Sequence, residues 1–414
     1  MNVFPTLPQH WVLTRLDRVA TVHARIGWKA LTAAEYVDDG YVFLSTPNIK
    51  TDKIDFLQVN YVTEFRYRES PDLMLRVGDV LLVKDGNTLG ITNLIVEMPR
   101  PATVNGSIAV LRPRGVEPRF LRYVLASSPL QGHIQAVRDG MGVPHLFQRD
   151  INRFPIPLPP QDEQRRIADF LDEQVGLLDR AIRLRQQQMT LMGERFGAQL
   201  NWHYAPGEER THTPLRKLLL QRPSYGVLVP KHVDEGVPFI RVADLNALRQ
   251  GRPPVAFIPP EQSVEYRRTV VRPGDVLTSV VGTLGTAAIV PTMARGANIA
   301  RAVCLLRPNQ AVSAWYLLGW LSTPEFLSLA EGATGSGTAQ ATLNMSDLSK
   351  FAVWLPSNGD LDHVAKDVQR IFEQREECEF RLQRGLDLLH ERRQALVTAA
   401  VTGRLDVTTA RVVA

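Results

Sequence analysis

Cysteine is almost missing. The 414 residues hold two, Cys304 and Cys378, in different regions and without a CxxC pair or histidine-rich neighbours. That excludes a disulfide framework and points to free thiols in a cytoplasmic chain. The nine histidines are scattered without metal-ligand spacing. No run of 18 apolar residues occurs, so no membrane span is expected. The opening MNVFPTLPQHWVLTRL has no basic segment followed by an apolar stretch, so no signal peptide is expected. Catalytic signatures are absent too. GATGSGT places Thr338 where a phosphate loop needs lysine. The Pro-Pro pairs LPPQ, RPPV and IPPE do not build the Asn/Asp-Pro-Pro-Tyr/Phe loop with which an adenine methyltransferase grips a flipped base. PDLMLRVGDVLLVK hints at a nuclease metal site, but Leu82 stands where the acid paired with Lys84 belongs. No catalytic residue, metal or cofactor is expected from this chain alone.

What is present is a repetition. RVGDVL at 76–81 returns as RPGDVL at 272–277, an offset of 196. DDGYVFLSTPNI from Asp38 lies over DEGVPFIRVADL from Asp234 at the same offset. GNTLG at Gly86 answers GTLG at Gly282, VLRP at Val110 answers LLRP at Leu305, and RDINRFPIPLP at Arg149 answers SDLSKFAVWLP at Ser346. Five islands in one order, drifting by a residue or two, mark a tandem duplication.

Texture divides the chain further. Residues 1–160 and 206–358 are rich in short Val/Ile/Leu runs between Gly and Pro, the pattern of strands and turns. Between them, residues 161–205 carry apolar positions at Ile167, Leu171, Val175, Leu178, Ile182, Met189, Met192 and Phe196, a helical stripe near heptad spacing. Residues 359–414 repeat it with Val364, Val368, Ile371, Cys378, Leu382, Leu389, Leu396 and Ala399. Gly176, Gly193, Arg375, Gly385 and Arg392 interrupt the two stripes, so each helix needs a partner. The expected fold is α/β, with mixed α+β domains and two long helices. Two globular domains are expected to be separated by an antiparallel coiled-coil helix pair, in a pseudo-two-fold internal repeat. Net charge is +5, and the excess lies in the globular copies, +3 in 1–160 and +4 in 206–358, against −1 in each helical stretch. A duplicated basic domain suits a polyanion. A dimer-like pair of readers suits two separated half-sites on duplex DNA.

PIPLPPQDEQRRIADFLDEQVGLLDRAI at 155–182 resembles the first conserved region of type I restriction-modification specificity subunits, and LLHERRQALVTAAVTGRLDV at 388–407 the end of the second. GDVL, the SYG at Ser224–Gly226 and the strand ends FPIPLP and FAVWLP resemble that family's target recognition domains. The resemblance implies a non-catalytic subunit whose two domains each read half of a bipartite double-stranded DNA site. It also implies two methyltransferase subunits docked on the conserved helices, with restriction and motor subunits joining for cleavage. Two alternatives are a coiled-coil scaffold joining two protein-binding globules and a specificity subunit of another multisubunit DNA modification system.

Base edges demand forked donors and amides, Arg or Lys for guanine and Asn or Gln for adenine. Candidates sit after expected strands and among glycines. In the first copy they are Asn48 and Lys50, then Lys84, Asn87 and Thr88, then His145 and Gln148. In the second they are Arg241 and Asp244, then Thr278, Ser279 and Thr283, then Ser336, Thr338 and Gln340. Arg66, Arg68, Arg267 and Arg268 are expected to touch phosphates, which position without specifying. GDVL is common to both copies and reads as scaffold. Lys84 faces Val280, and HLFQ faces AQATLN, where each copy would read its own sequence.

Overall fold

The computed structural model describes residues 3–24, 33–139, 142–204, 210–334, 342–356 and 360–407. The chain forms two compact units, one of residues 1–185 with 385–414, the other of residues 186–384.

In the first unit, strands β1 (Val12–Arg15), β2 (Ala20–Ala24), β3 (Tyr41–Leu44), β4 (Asn60–Val62), β5 (Val80–Val83), β6 (Thr92–Leu94), β7 (Ala102–Val104), β8 (Ile108–Pro113) and β9 (Pro155–Leu158) form three sheets. One has four strands in the order β2-β8-β5-β6, one has three in the order β4-β3-β7, and β1 pairs with β9. β5, the VLLV that follows Gly-Asp, is buried on both faces, which is why it is an unbroken apolar run rather than an alternating one. Val80 and Leu82 face the helical side of the core, while Leu81 and Val83 pack with Val42, Leu44, Ala102 and Val104 of the three-stranded sheet.

The second unit repeats this. Its strands are β10 (Arg210–Pro214), β11 (Ser224–Tyr225), β12 (Val237–Ile240), β13 (Ala256–Ile258), β14 (Val276–Ser279), β15 (Ala287–Ile289), β16 (Asn298–Ile299), β17 (Val303–Leu306) and β18 (Ala352–Pro356). The four-stranded order is β11-β17-β14-β15, the three-stranded order is β13-β12-β16, and β10 pairs with β18. Position for position these are the sheets of the first unit.

The repeated hexapeptide has a physical reason. In RVGDVL, Gly78 takes φ 93°, a left-handed conformation that glycine adopts without penalty. The turn delivers Asp79, whose Oδ2 accepts from the Arg76 amide at 2.9 Å. The same carboxylate takes both arms of Arg112, Nε to Oδ1 at 2.8 Å and Nη2 to Oδ2 at 2.9 Å, and Arg112 also donates to the Met74 carbonyl. The second unit rebuilds this atom for atom. Gly274 has φ 88°. Asp275 accepts from the Arg272 amide at 2.7 Å, and Arg307 holds both its oxygens at 2.7 Å while donating to the Val270 carbonyl. The repeated GDVL and the repeated LRP are therefore two ends of one ion pair that locks the turn before β5 or β14 to β8 or β17.

Two long helices, Gln161–Tyr204 and Leu361–Val401, stand where the apolar stripes place them. Each gives its first part to one unit and its last part to the other. Ile167, Leu171 and Val175 enter the first unit's core together with Val397, Ala400 and Val401. Val368 and Phe372 enter the second unit's core together with Leu200 and Tyr204. The helices run antiparallel within the first unit: Glu163 accepts from Trp11, the Pro8 and Trp11 side chains lie beside Gly403, and Arg393 Nε meets Asp179 Oδ1 at 2.8 Å. The buried stripe is broader than the sequence suggests. Phe372, Leu386 and Val397 are buried, whereas Cys378 is exposed. Among the described residues no helix is long and apolar enough to cross a membrane.

Candidate nucleic-acid interface

Three chain segments meet at the end of β5. The Lys84 amide donates to the Ser107 carbonyl at 2.8 Å, the Gly86 amide to Pro144 at 2.9 Å, and the Leu146 amide back to Lys84 at 2.8 Å. KDGNTLG and PHLFQ, far apart in sequence, thus form one loop cluster. The second unit builds the same junction through the Leu343 amide and the Val280 carbonyl at 2.9 Å.

Within the first cluster the polar residues divide into those the fold uses and those it leaves outside. Lys84 is 6% exposed and its Nζ lies 3.0 Å from Asp85 Oδ2. The other oxygen of Asp85 meets His145 Nδ1. Lys84 and His145 are therefore both tied to one carboxylate, and the Lys84 side chain is nearly covered. Gln148 is half-buried and donates through Nε2 to the Val22 carbonyl at 2.7 Å. Asn87 and Thr88, at the tip of the turn, are exposed.

Asn48 is consumed by the fold. Its Oδ1 accepts from the backbone and hydroxyl of Ser45, and its Nδ2 donates to the carbonyls of Asp55 and Gln58. Asp244 occupies the same place 196 residues on. It is buried and accepts from the Arg241 amide at 2.9 Å and from the Arg241 guanidinium at 3.0 and 3.1 Å. Both close the first turn after β3 or β12, the capping role for which short polar side chains are suited. Lys50 is exposed and pairs with Asp55 at 2.7 Å, a bond that lowers the Asp55 pKa to about 2.

In the second unit Thr278 and Ser279 lie inside rather than on a loop. Ser279 Oγ donates to the Thr283 carbonyl and accepts from the Thr286 amide, shaping the GTLG turn from within. The Thr278 hydroxyl is buried without a hydrogen-bond partner. Thr283 itself is exposed. Ser336, Thr338 and Gln340 lie outside the described residues.

The four candidate phosphate contacts differ between units. Arg66 is held by Glu35 and, at 2.8 Å, by Glu69, and Arg68 pairs with Glu64 at 2.7 Å. Arg267 and Arg268 are exposed and line an open recess with Tyr225 and Tyr266. Two aromatic residues lie within the SYG and HLFQ stretches but are not among the candidates. Phe147 is exposed in the loop cluster with the Arg149 guanidinium 5.0 Å from its ring centre. Tyr225, half-exposed, stands on the edge strand β11.

Residues 8–188 match the family model described as the type I restriction modification DNA specificity domain. The chain is similar to the specificity subunits of type I restriction-modification systems. It is 27% identical over 307 residues to the EcoBI specificity subunit of Escherichia coli, a match that covers 67% of this chain and 64% of that one. The chain thus spans just under two thirds of that relative's length. Against the EcoKI specificity subunit of Escherichia coli strain K12 it is 20% identical over 421 residues, covering 96% of this chain and 90% of the relative. A solved chain from work on complex assembly and conformational transition of the type I R-M system has the same fold, with a TM-score of 0.68 and 21% identity over 96% of this chain and 99% of that one. The family model covers the first repeat. The second repeat has the same strand orders and the same Asp–Arg lock as the matched one.

Proposed function

We propose that each unit reads one half of a bipartite sequence in double-stranded DNA, and that the long helices dock two methyltransferase subunits, with restriction and motor subunits joining them. In this reading the chain catalyses nothing itself, works in the cytoplasm and supplies the address for its partners' chemistry. One observation carries it. The turn and ion pair that hold β5 and β14 are the same atom for atom, while the loops immediately beyond them differ, Lys84-Asp85 against Val280-Val281. A scaffold kept constant under divergent tips is the arrangement that two readers of different sequences require. The relatives named above as specificity subunits support the same reading.

The geometry also sorts the candidates. Asn48, Lys84, His145, Gln148, Asp244, Thr278 and Ser279 shape the loops. In this reading Arg68 is taken up by Glu64, while Asn87, Thr88, Thr283 and Lys50 meet DNA, together with Arg241, Arg267 and Arg268. Phe147 and Arg149 join them. The test is an exchange of residues 1–155 for the same region of a relative, followed by sequencing of methylated positions in the host genome. One half of the methylated site should change and the other should persist. A change in both halves would refute independent readers.

A further inference from the structure

The second repeat carries a basic recess. It has a volume of about 610 Å³ and is walled by Tyr225, Tyr266, Arg267, Arg268 and Glu265, with Met345 at one side. The turn bearing the arginines is held by its backbone. Thr269 Oγ1 donates to the Tyr266 carbonyl at 2.9 Å, and Gln221 Nε2 donates to the Arg268 carbonyl at 3.3 Å. Both guanidinium groups stay exposed, and neither makes an ion pair with a described residue.

The equivalent positions in the first repeat, 196 residues earlier, are Pro71 and Asp72. Charge is reversed there, and Asp72 lies 3.8 Å from His23. The first repeat does have arginines in the preceding helix, but Arg66 and Arg68 are taken up by Glu35, Glu69 and Glu64. Glu69 has its counterpart in Glu265. The counterpart of Arg66 is Gln262, whose side chain is tied to the Lys231 amide and the Val229 carbonyl. Glu265 lines the same recess but forms no ion pair with either arginine, so the two adjacent like charges repel each other unless an anion arrives. A guanidinium fork fits phosphate oxygens, and tyrosine hydroxyls commonly donate to phosphate and sugar.

We propose that this recess seats the sugar-phosphate backbone of duplex DNA, so that the second unit supplies more of the sequence-independent attachment than the first. The inference rests on the reading of the chain as a DNA-recognition subunit and adds an asymmetry to it. Each phosphate neutralised contributes roughly 0.9 to the slope of log K against log salt.

The experiment measures that slope for the full chain on a mixed-sequence duplex and on its preferred site. Arg267→Ala/Arg268→Ala should lower the slope by roughly 1.8 and weaken binding equally on both duplexes. Arg267→Lys/Arg268→Lys should keep the slope, which separates charge from any damage to the fold, and Arg68→Ala should leave it unchanged. An unaltered slope in the double alanine variant overturns the recess while leaving DNA recognition intact. An equal fall per residue in Arg68→Ala overturns the asymmetry. Failure of the unaltered chain to bind any duplex overturns the DNA reading and this inference with it.

Discussion

Asp79 is 1% exposed, yet it is a charge, and the fold tolerates it because Arg112 and the Arg76 amide satisfy both oxygens. Removing one partner of such a pair leaves the other buried and uncompensated, at a cost of about 3–5 kcal/mol. Asp79→Ala should therefore loosen the first unit, and Asp275→Ala the second, by about that much. Amide hydrogen exchange in β5 and β14 would report the two losses separately, with each substitution sparing the other unit's strand. Asp55 gives a milder, pH-dependent effect. Its pKa falls from 3.8 to about 2, chiefly through the Lys50 hydrogen bond and then through the Leu57 amide. A carboxyl depressed on folding stabilises above its unfolded pKa and loses that contribution as pH falls through the folded value. The Lys50–Asp55 clasp should accordingly hold above pH 3.8 and open as pH falls towards about 2. A carbon-detected titration of the Asp55 carboxyl checks this, and in Lys50→Ala its midpoint should return towards the ordinary carboxylate range.

Strands β5 and β14 show how an element absorbs divergence. Leu82 in the first corresponds to Thr278 in the second, both buried, and the threonine hydroxyl has no partner. A buried unsatisfied hydroxyl costs about 1–3 kcal/mol. Thr278→Val should thus stabilise the second unit by about 1 kcal/mol, seen as a higher midpoint in thermal unfolding, and should leave DNA affinity unchanged. A loss of sequence preference instead would return Thr278 to the interface. The same strand explains what could be foreseen. The duplication, the strand runs and the two helices were visible as repeated words and apolar spacing, because those patterns record burial directly. The fate of Lys84, Asn48 and Ser279 was not visible. A polar residue in a glycine-flanked loop reads alike whether its donor meets a base or another group of the chain. That choice is made by Asp85 beside Lys84, by the Asp55 and Gln58 carbonyls at Asn48 and by the Thr283 carbonyl at Ser279, whose directions only the folded chain sets.

Across the whole molecule, the second unit is one contiguous stretch, whereas the first is not. The first needs Val397, Ala400 and Val401 as well as residues 3–185, and the second needs Leu200 and Tyr204 beside Val368 and Phe372. A fragment of residues 1–205 therefore has one reader, an empty place where the second helix belongs, and a helix end, Leu200 to Tyr204, equivalent to the missing Val397 to Val401. Two such fragments can each fill the other's vacancy, since a two-fold pair buries the same patch on both chains. Light scattering should give the mass of a dimer, and selection from random DNA with the methyltransferase partner present should return an inverted repeat of one half-site. A folded monomer, or a site without inverted symmetry, would show that the two helix ends are not interchangeable.

The interleaving of helix ends also bears on synthesis. Domains emerging from the ribosome ordinarily close in the order they are made, at about 5–20 residues per second. Here the order reverses. Residues 186–384 hold everything in the second unit, whereas the core around Leu16 and Phe120 still waits for residues 397–401 after Arg185 has been made. The delay is roughly 10–40 s at those rates. During it the apolar groove meant for Val397 and Val401 stays open on the nascent chain. The part written first is the part finished last, and whatever shields that groove in the meantime, a chaperone or a waiting subunit, meets the protein before its own final turn of helix does.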